Sequence, residues 1–253
     1  MRIIIRVLLT LMPMAALAGT PDPKAFAWQP HPGTAVPLGQ RFTDDMGRDV
    51  TLRDLSGTPM VLALGYFHCP SLCSVVRGDL VAALDGSRLV AGRDYQLAVL
   101  SIDPAETAKD AAKAKADDLA RSSGADGKGW HYLAGDAASV ARSVGFPYSY
   151  DEQLQQFAHP AGLVVLTANG TVSSYLEGAG YTGDALRNAV ERAAAGDIAA
   201  APSPVLLLCF QYDAATGRYT LAIEKLLRLL AGATVLGIAG LLVLLRRRAQ
   251  RVT

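Results

Sequence analysis

The continuous apolar run MVLALGYF, Met60–Phe67, constrains the fold of this chain more than any other stretch. A half-solvated strand alternates apolar and polar residues, so an unbroken run of this length predicts a strand buried on both faces. YQLAVLSI, Tyr95–Ile102, is a second buried-strand candidate, ending in Asp103-Pro104. Between the two, Ser74–Leu84 has helical character. Ala105–Arg121, rich in Ala, Lys and Asp, predicts a solvent-facing helix. GWHYLAGD (129–136) reads as a short strand and Ala137–Val144 as a short helix. Leu163–Leu166 and Val172–Tyr175 flank Ala168-Asn169-Gly170, a hairpin signal, and Gly183–Ala195 makes a last helix. Upstream, RFTDDMGRDVTLRDL reads as a hairpin turning at Met46-Gly47. Buried strands alternating with helices predict an α/β fold, with a mostly parallel central sheet flanked by helices and an antiparallel edge.

Both ends of the chain carry membrane signals. MRIIIRVLLTLMPMAALAG has a positive start at Arg2 and Arg6, a short apolar run and an A-x-A site at Ala16–Ala18, the layout of a secretory signal. Leu229–Leu245 is free of charge and is followed at once by Arg246, Arg247 and Arg248. At about 1.5 Å per residue such a helix spans roughly 25 Å, the short end of what a bilayer core requires. The basic stop predicts a cytoplasmic C-terminus, with the preceding domain outside. The formal net charge of +1 argues against nucleic acid as a partner.

Three cysteines are too few for a disulfide-built scaffold. Two of them, Cys69 and Cys73, stand in GYFHCPSLC, where the first buried strand gives way to a helix. A cysteine motif in that position matches the placement in thioredoxin-like folds. Helix N-terminal amides would stabilise the Cys69 thiolate, and residues i and i+4 face the same side of a helix. The spacing is one residue longer than the C-x-x-C of dithiol catalysts. A purely structural disulfide would close so short a loop that it removes little entropy from the unfolded chain. A redox couple and a pair of metal ligands both remain open. Among the four histidines, His31 falls in a Pro/Gly-rich lead-in, His68 adjoins Cys69 but points away from it, and His131 packs in a strand. His159, in FAHPAGL just before the LVVL strand, is best placed to reach the cysteine motif. Cys209 lies apart, near the apolar C-terminal run.

Four segments, in order, resemble the Sco/SenC family of thioredoxin-like copper proteins. GYFHCPSLC is similar to the family's cysteine motif and SIDPAET (101–107) to its Ser-x-Asp-Pro segment. FAHPAGLVVLTANG is similar to its histidine loop and hairpin. LLLCFQYDAATGRY (206–219), ahead of the apolar run, resembles a tail in a branch with a C-terminal membrane helix. Ser74 and Pro160 depart from common family residues, and Gln211 stands where that branch often has His.

The resemblance implies a copper site of two thiolates and an imidazole, Cys69, Cys73 and His159, able to hold Cu(I) or Cu(II). It also implies a carboxylate near the site, Asp103, for an outer-shell or partner-docking role, with helix capping an equal alternative. The implied function is a membrane-tethered copper metallochaperone. It would supply the dinuclear copper centre of a respiratory cytochrome c oxidase from the periplasmic side of a bacterial inner membrane. Implied partners are the copper-receiving oxidase subunit and another periplasmic copper donor or thiol reductant. The alternative is a membrane-tethered thiol–disulfide oxidoreductase with Cys69 and Cys73 as its redox couple, acting on the cysteines of the oxidase copper site; a peroxidase or redox sensor is a third, weaker reading. The expected division is a signal peptide at 1–18, a mobile lead-in at 19–40 and a thioredoxin-like copper-binding domain at 41–198. A linker and juxtamembrane segment at 199–225, a membrane helix at 226–245 and a cytoplasmic basic tail at 246–253 complete it.

Overall fold

The computed structural model describes residues 27–68 and 73–199, two short strands at 210–213 and 218–221, and Thr234; of residues 73–75 it describes the backbone alone. The chain enters a hairpin of β1 (Arg41–Asp44) and β2 (Asp49–Thr51), then a 3-10 turn at Leu52–Leu55 and β3 (Met60–Gly65). Helix α1 (Cys73–Ser87) leads to β4 (Gln96–Ser101), and α2 (Ala108–Leu119) leads to β5 (Trp130–Ala134). Helix α3 (Ala138–Ser143) and a small hairpin of β6 (Ser149–Asp151) and β7 (Gln156–Ala158) follow. The main body closes with β8 (Gly162–Leu166), β9 (Val172–Glu177) and α4 (Gly183–Ala194). Strands β10 (Phe210–Asp213) and β11 (Arg218–Leu221) pair with each other, and among the described residues with no other strand.

Seven strands form one sheet in the order β2-β1-β5-β4-β3-β8-β9. Its middle explains the continuous apolar runs. Val61, Leu97, Val99, Leu163 and Val165 face a core shared with α1, α2 and α4, through residues such as Leu80, Leu84, Ala111, Leu186 and Val190. Their neighbours Leu62, Ala98, Leu100 and Val164 face the opposite core, closed by α3, Trp28, Phe42 and Phe146. Each central strand therefore buries both faces, which is why the sequence shows no alternation there.

Two expectations are corrected. The sheet is not mostly parallel: only β3–β4 and β4–β5 run parallel, the pairs bridged by the crossover helices α1 and α2. The β1–β2, β1–β5, β3–β8 and β8–β9 pairings are antiparallel, so the sheet is mixed, with antiparallel strands on both flanks. The crossovers are visible in sequence as helices between buried strands, whereas the direction of the flanking hairpins is not. The second correction concerns the lead-in. Residues 27–40 are docked, not loose: Trp28 and Val36 are buried, and backbone bonds join Gly33 to Val172 and Val36 to Gly170 along the β8–β9 hairpin. The burial of those two side chains holds a Pro/Gly-rich stretch that composition alone marks as a loop.

The solvent-facing helix expected over Ala105–Arg121 forms over 108–119 and turns Ala111, Ala114 and Asp118 inward. No helix among the described residues is long and apolar enough to cross a membrane. The apolar run at Leu229–Leu245, apart from Thr234, and the leader at 1–18 lie outside those residues, as does Cys209.

Candidate metal centre

The register of the sheet decides what meets at the end of β3. Strand β8 pairs antiparallel with β3, Met60 opposite Leu166 and Ala63 opposite Leu163. The start of β8 therefore lies beside the end of β3, and the segment entering β8 arrives where the cysteine motif leaves the sheet. His159 is on that segment, and Tyr66, three positions before Cys69, is its neighbour. The two rings stand edge to face with centroids 5.9 Å apart.

His159 is held in a nest of aromatic rings. Phe146 stacks on it at 5.4 Å with the planes tilted by 28°. Phe157 packs on Tyr66 at 5.4 Å. Burial pushes the imidazole pKa below its ordinary value, opposed by the hydrogen bond to the Pro160 carbonyl. Nδ1 lies 2.8 Å from that carbonyl oxygen. A carbonyl only accepts, so Nδ1 carries the proton of this bond and the lone pair of the neutral ring sits on Nε2. A ring anchored through Nδ1, with its lone pair on Nε2, is the arrangement in which proteins present histidine to a metal. The departure at Pro160 thus leaves its carbonyl in use as the anchor.

Cys69 lies outside the described residues, and Cys73 is described only as the first residue of α1. The cysteine motif therefore spans the β3–α1 junction, as the thioredoxin-like placement requires. Among the described residues no group of three or more His, Cys, Asp or Glu side chains stands ready to hold a metal ion. The other histidines are accounted for. His31 Nδ1 lies 3.3 Å from the Ser143 carbonyl, and His131 Nε2 is 3.0 Å from Gln96 Oε1 within the sheet. His68 turns its ring to Glu106 and Asp110, at 3.2 and 3.5 Å.

Glu106 is the residue that sequence reasoning missed. It is only 7% exposed, in the turn between β4 and α2. Its Oε2 accepts the Phe67 N–H at 2.8 Å and its Oε1 the His68 N–H at 2.7 Å, while the Ser101 hydroxyl donates to Oε2. One buried carboxylate thereby fixes the last two backbone amides before Cys69. The available signal was Thr107-x-x-Asp110, a capping box that starts α2 at Ala108 and leaves Glu106 in the preceding turn. Both the N–H and the hydroxyl of Thr107 reach Asp110 Oδ2, at 2.8 and 2.7 Å, and these bonds hold the Asp110 pKa low.

Asp103 does not cap α2, whose N-cap is Thr107. Its Oδ1 instead accepts the Ala105 N–H at 2.8 Å within the turn after β4.

The comparisons agree with this architecture. A search of curated protein sequences found no match. Among solved structures, a proposed electron transfer protein from Aquifex aeolicus VF5 superposes with a TM-score of 0.58 at 25% identity, over 65% of this chain and 95% of that one. A SCO1/SenC family lipoprotein from Bacillus anthracis str. Ames gives 0.53 at 18% identity, over 66% and 99%. Arabidopsis thaliana ScoI with copper bound gives 0.51 at 21%, over 63% and 99%. The family model described as SCO1/SenC matches residues 34–195. That span runs from the docked lead-in through β9 and α4, includes the cysteine motif and His159, and places this chain in the SCO1/SenC family.

Proposed function

We propose that this protein carries copper as cargo, bound by the thiolates of Cys69 and Cys73 and by Nε2 of His159, and delivers it to the dinuclear copper centre of a respiratory cytochrome c oxidase. The observation that carries this reading is the Nδ1 anchor of His159 on the Pro160 carbonyl, beside Tyr66 and the strand end that feeds Cys69. A dithiol catalyst has no use for an imidazole held in this way. Two soft thiolates suit Cu(I), and an added imidazole tolerates Cu(II), so the donor set fits either state. Membership of the SCO1/SenC family supports the same cargo.

Delivery proceeds by ligand exchange. A thiolate of the receiving site binds the metal as one of this chain's thiolates leaves it, and the copper keeps its oxidation state throughout. A signal peptide at 1–18, a membrane helix at 226–245 and a basic cytoplasmic tail at 246–253 would tether the domain at the periplasmic face of a bacterial inner membrane. Confining donor and membrane-bound acceptor to one layer raises their effective concentration. The second reading, a tethered thiol–disulfide oxidoreductase, rests on the position of the cysteine pair at the strand–helix junction. There Cys69 attacks a disulfide of the oxidase site, Cys73 resolves the mixed disulfide, and an external thiol reductant restores the pair.

The test is copper stoichiometry in the reduced full-length chain, purified in detergent and titrated with Cu(I). About one equivalent in the wild type with a clear loss in His159→Ala is expected. Equally weak binding in both would remove the carrier reading and leave the oxidoreductase.

A further inference from the structure

Beside the candidate metal centre lies an open groove of about 610 Å³. Its walls are the turn after β4 (Ile102–Ala105), the turn after β5 (Gly135–Ala137) and the β6–β7 hairpin with Tyr148, Tyr150 and Phe157. The floor is mainly aromatic and aliphatic. Phe157 joins it to the centre: its ring packs on Tyr66, which in turn packs on His159. A molecule seated in the groove is therefore two ring contacts from the imidazole.

The polar groups of the groove are of one sign. Asp103 and Asp136 contribute carboxylates from two different turns, and no lysine or arginine is among the described residues that line it. Each carboxylate uses Oδ1 to accept one backbone amide, from Ala105 and Ala138 at 2.8 Å in both cases. Arg142 is the cation felt by Tyr148 at this edge, where Asp136 opposes it. The apolar surface continues outside the groove onto the same hairpin, where Tyr150 is 47% and Leu154 66% exposed. That extension favours a protein segment over a small molecule, which would need only the concavity.

We infer that this groove docks the copper-receiving domain of the oxidase through a loop that sets a Lys or Arg side chain between Asp103 and Asp136 and an apolar side chain against Tyr150 and Phe157. The inference rests on the copper-delivery reading for the identity of the partner. Charge complementarity selects the cation: two carboxylates at an aromatic groove attract a positive side chain and repel an acidic one. Seating the partner here brings its thiolates to the mouth of the centre without any group of the groove touching the metal.

The experiment measures association of the copper-loaded full-length chain, in detergent, with the purified copper-receiving domain of the oxidase from the same organism. Asp103→Asn with Asp136→Asn keeps both amide-accepting oxygens and removes only charge. This double variant should raise Kd by roughly tenfold at low salt and remove most of its salt dependence. Tyr150→Ala should raise Kd at every salt concentration. Copper per chain should stay at the wild-type value in both. An unchanged Kd in the double variant and in Tyr150→Ala, or no association by the wild type, overturns the docking assignment. Copper lost from the Asp103 variant would overturn it too, placing that carboxylate beside the metal instead. Should the wild type hold no copper, the delivery reading fails by itself. Charge- and Tyr150-dependent association of the metal-free chain would then still support the groove.

Discussion

The carboxylate of Glu106 accepts the backbone N–H groups of both Phe67 and His68, so a side chain from the turn after β4 holds the strand end that leads into Cys69. The accepting carboxylate is buried, which sets these bonds apart from exchangeable surface contacts. They also cross 38 and 39 positions of sequence, so they tie the cysteine motif to the sheet rather than to itself.

Glu106→Gln tests this clamp. The amide keeps one acceptor oxygen and turns an NH₂ toward a second donor, so one of the two backbone amides loses its partner. A loss of about 2 kcal/mol in unfolding free energy is expected. The decisive readout is local: amide exchange at Phe67 and His68 should accelerate more than exchange in β4 or β5. A uniform acceleration across the sheet would mean that Glu106 supports the core generally and does not restrain this segment.

A second carboxylate steadies the helix that carries Cys73. Asp118 of α2 is fully buried and accepts from Arg77 of α1 through two nitrogens, from Arg121, and from the Tyr132 hydroxyl at 2.7 Å. Asp118→Ala leaves the largely buried Arg77 guanidinium without its counter-charge. The expected cost is about 3–5 kcal/mol, read from denaturant unfolding. Asp118→Ala with Arg77→Met should recover a substantial part of it, because the pair is then replaced by apolar groups. If the double variant is no more stable than the single, the cost comes from lost packing and hydrogen bonds and not from the stranded charge.

How much of this was legible in the chain depends on whether a feature leaves a pattern. Met60–Phe67 was readable because Val61 and Leu62 face opposite cores and both must be apolar. The position of His159 near the end of β3 was readable because it lies just ahead of a strand, and sheet register brings that strand beside β3. The β6–β7 hairpin left no such mark. Its strands are three residues each, none of them fully buried, and its turn is polar apart from the exposed Leu154, so neither alternation nor an apolar run appears. Glu106 left none either, since its partners are backbone amides and no residue type announces them. Trp28 and Val36 show the opposite failure: two buried residues scattered in a Pro/Gly-rich stretch cannot reveal, by themselves, the hairpin they dock against.

Helices α1 and α4 meet through glycine. A Cβ on Gly183 would stand 2.2 Å from the Gly86 carbonyl carbon and 2.6 Å from Ser87 N, a clash with backbone that no rotamer relieves. Gly183→Ala must therefore push α4 off α1, with an expected loss of at least about 2 kcal/mol. A Cβ on Gly78, also in α1, would meet nothing within 4 Å, so Gly78→Ala should be neutral or stabilising through helix propensity. Thermal unfolding of the two variants separates the explanations. Equal destabilisation would assign the effect to the loss of glycine within or at a helix and not to the α1–α4 contact.

Acid should destabilise the protein through histidines that fold in the neutral form. Burial holds the pKa of His131 below its ordinary value of 6.5, and Lys115 adds to the effect. Asp45 and Asp44 oppose it, and Arg48 lowers the pKa further. The pKa is lower in the folded state, so the unfolded chain takes up the proton first as pH falls. The stabilisation is complete above pH 6.5 and is lost as pH drops through the depressed folded value. His159 contributes in the same direction for the same first cause, burial. His131→Gln removes one titrating group and leaves an amide able to bond Gln96. Its unfolding free energy should therefore fall less steeply than the wild type's between about pH 6.5 and 5, while the remaining slope reports His159 and the carboxylates. Parallel curves for the two proteins over that interval would show that His131 takes up its proton equally in both states.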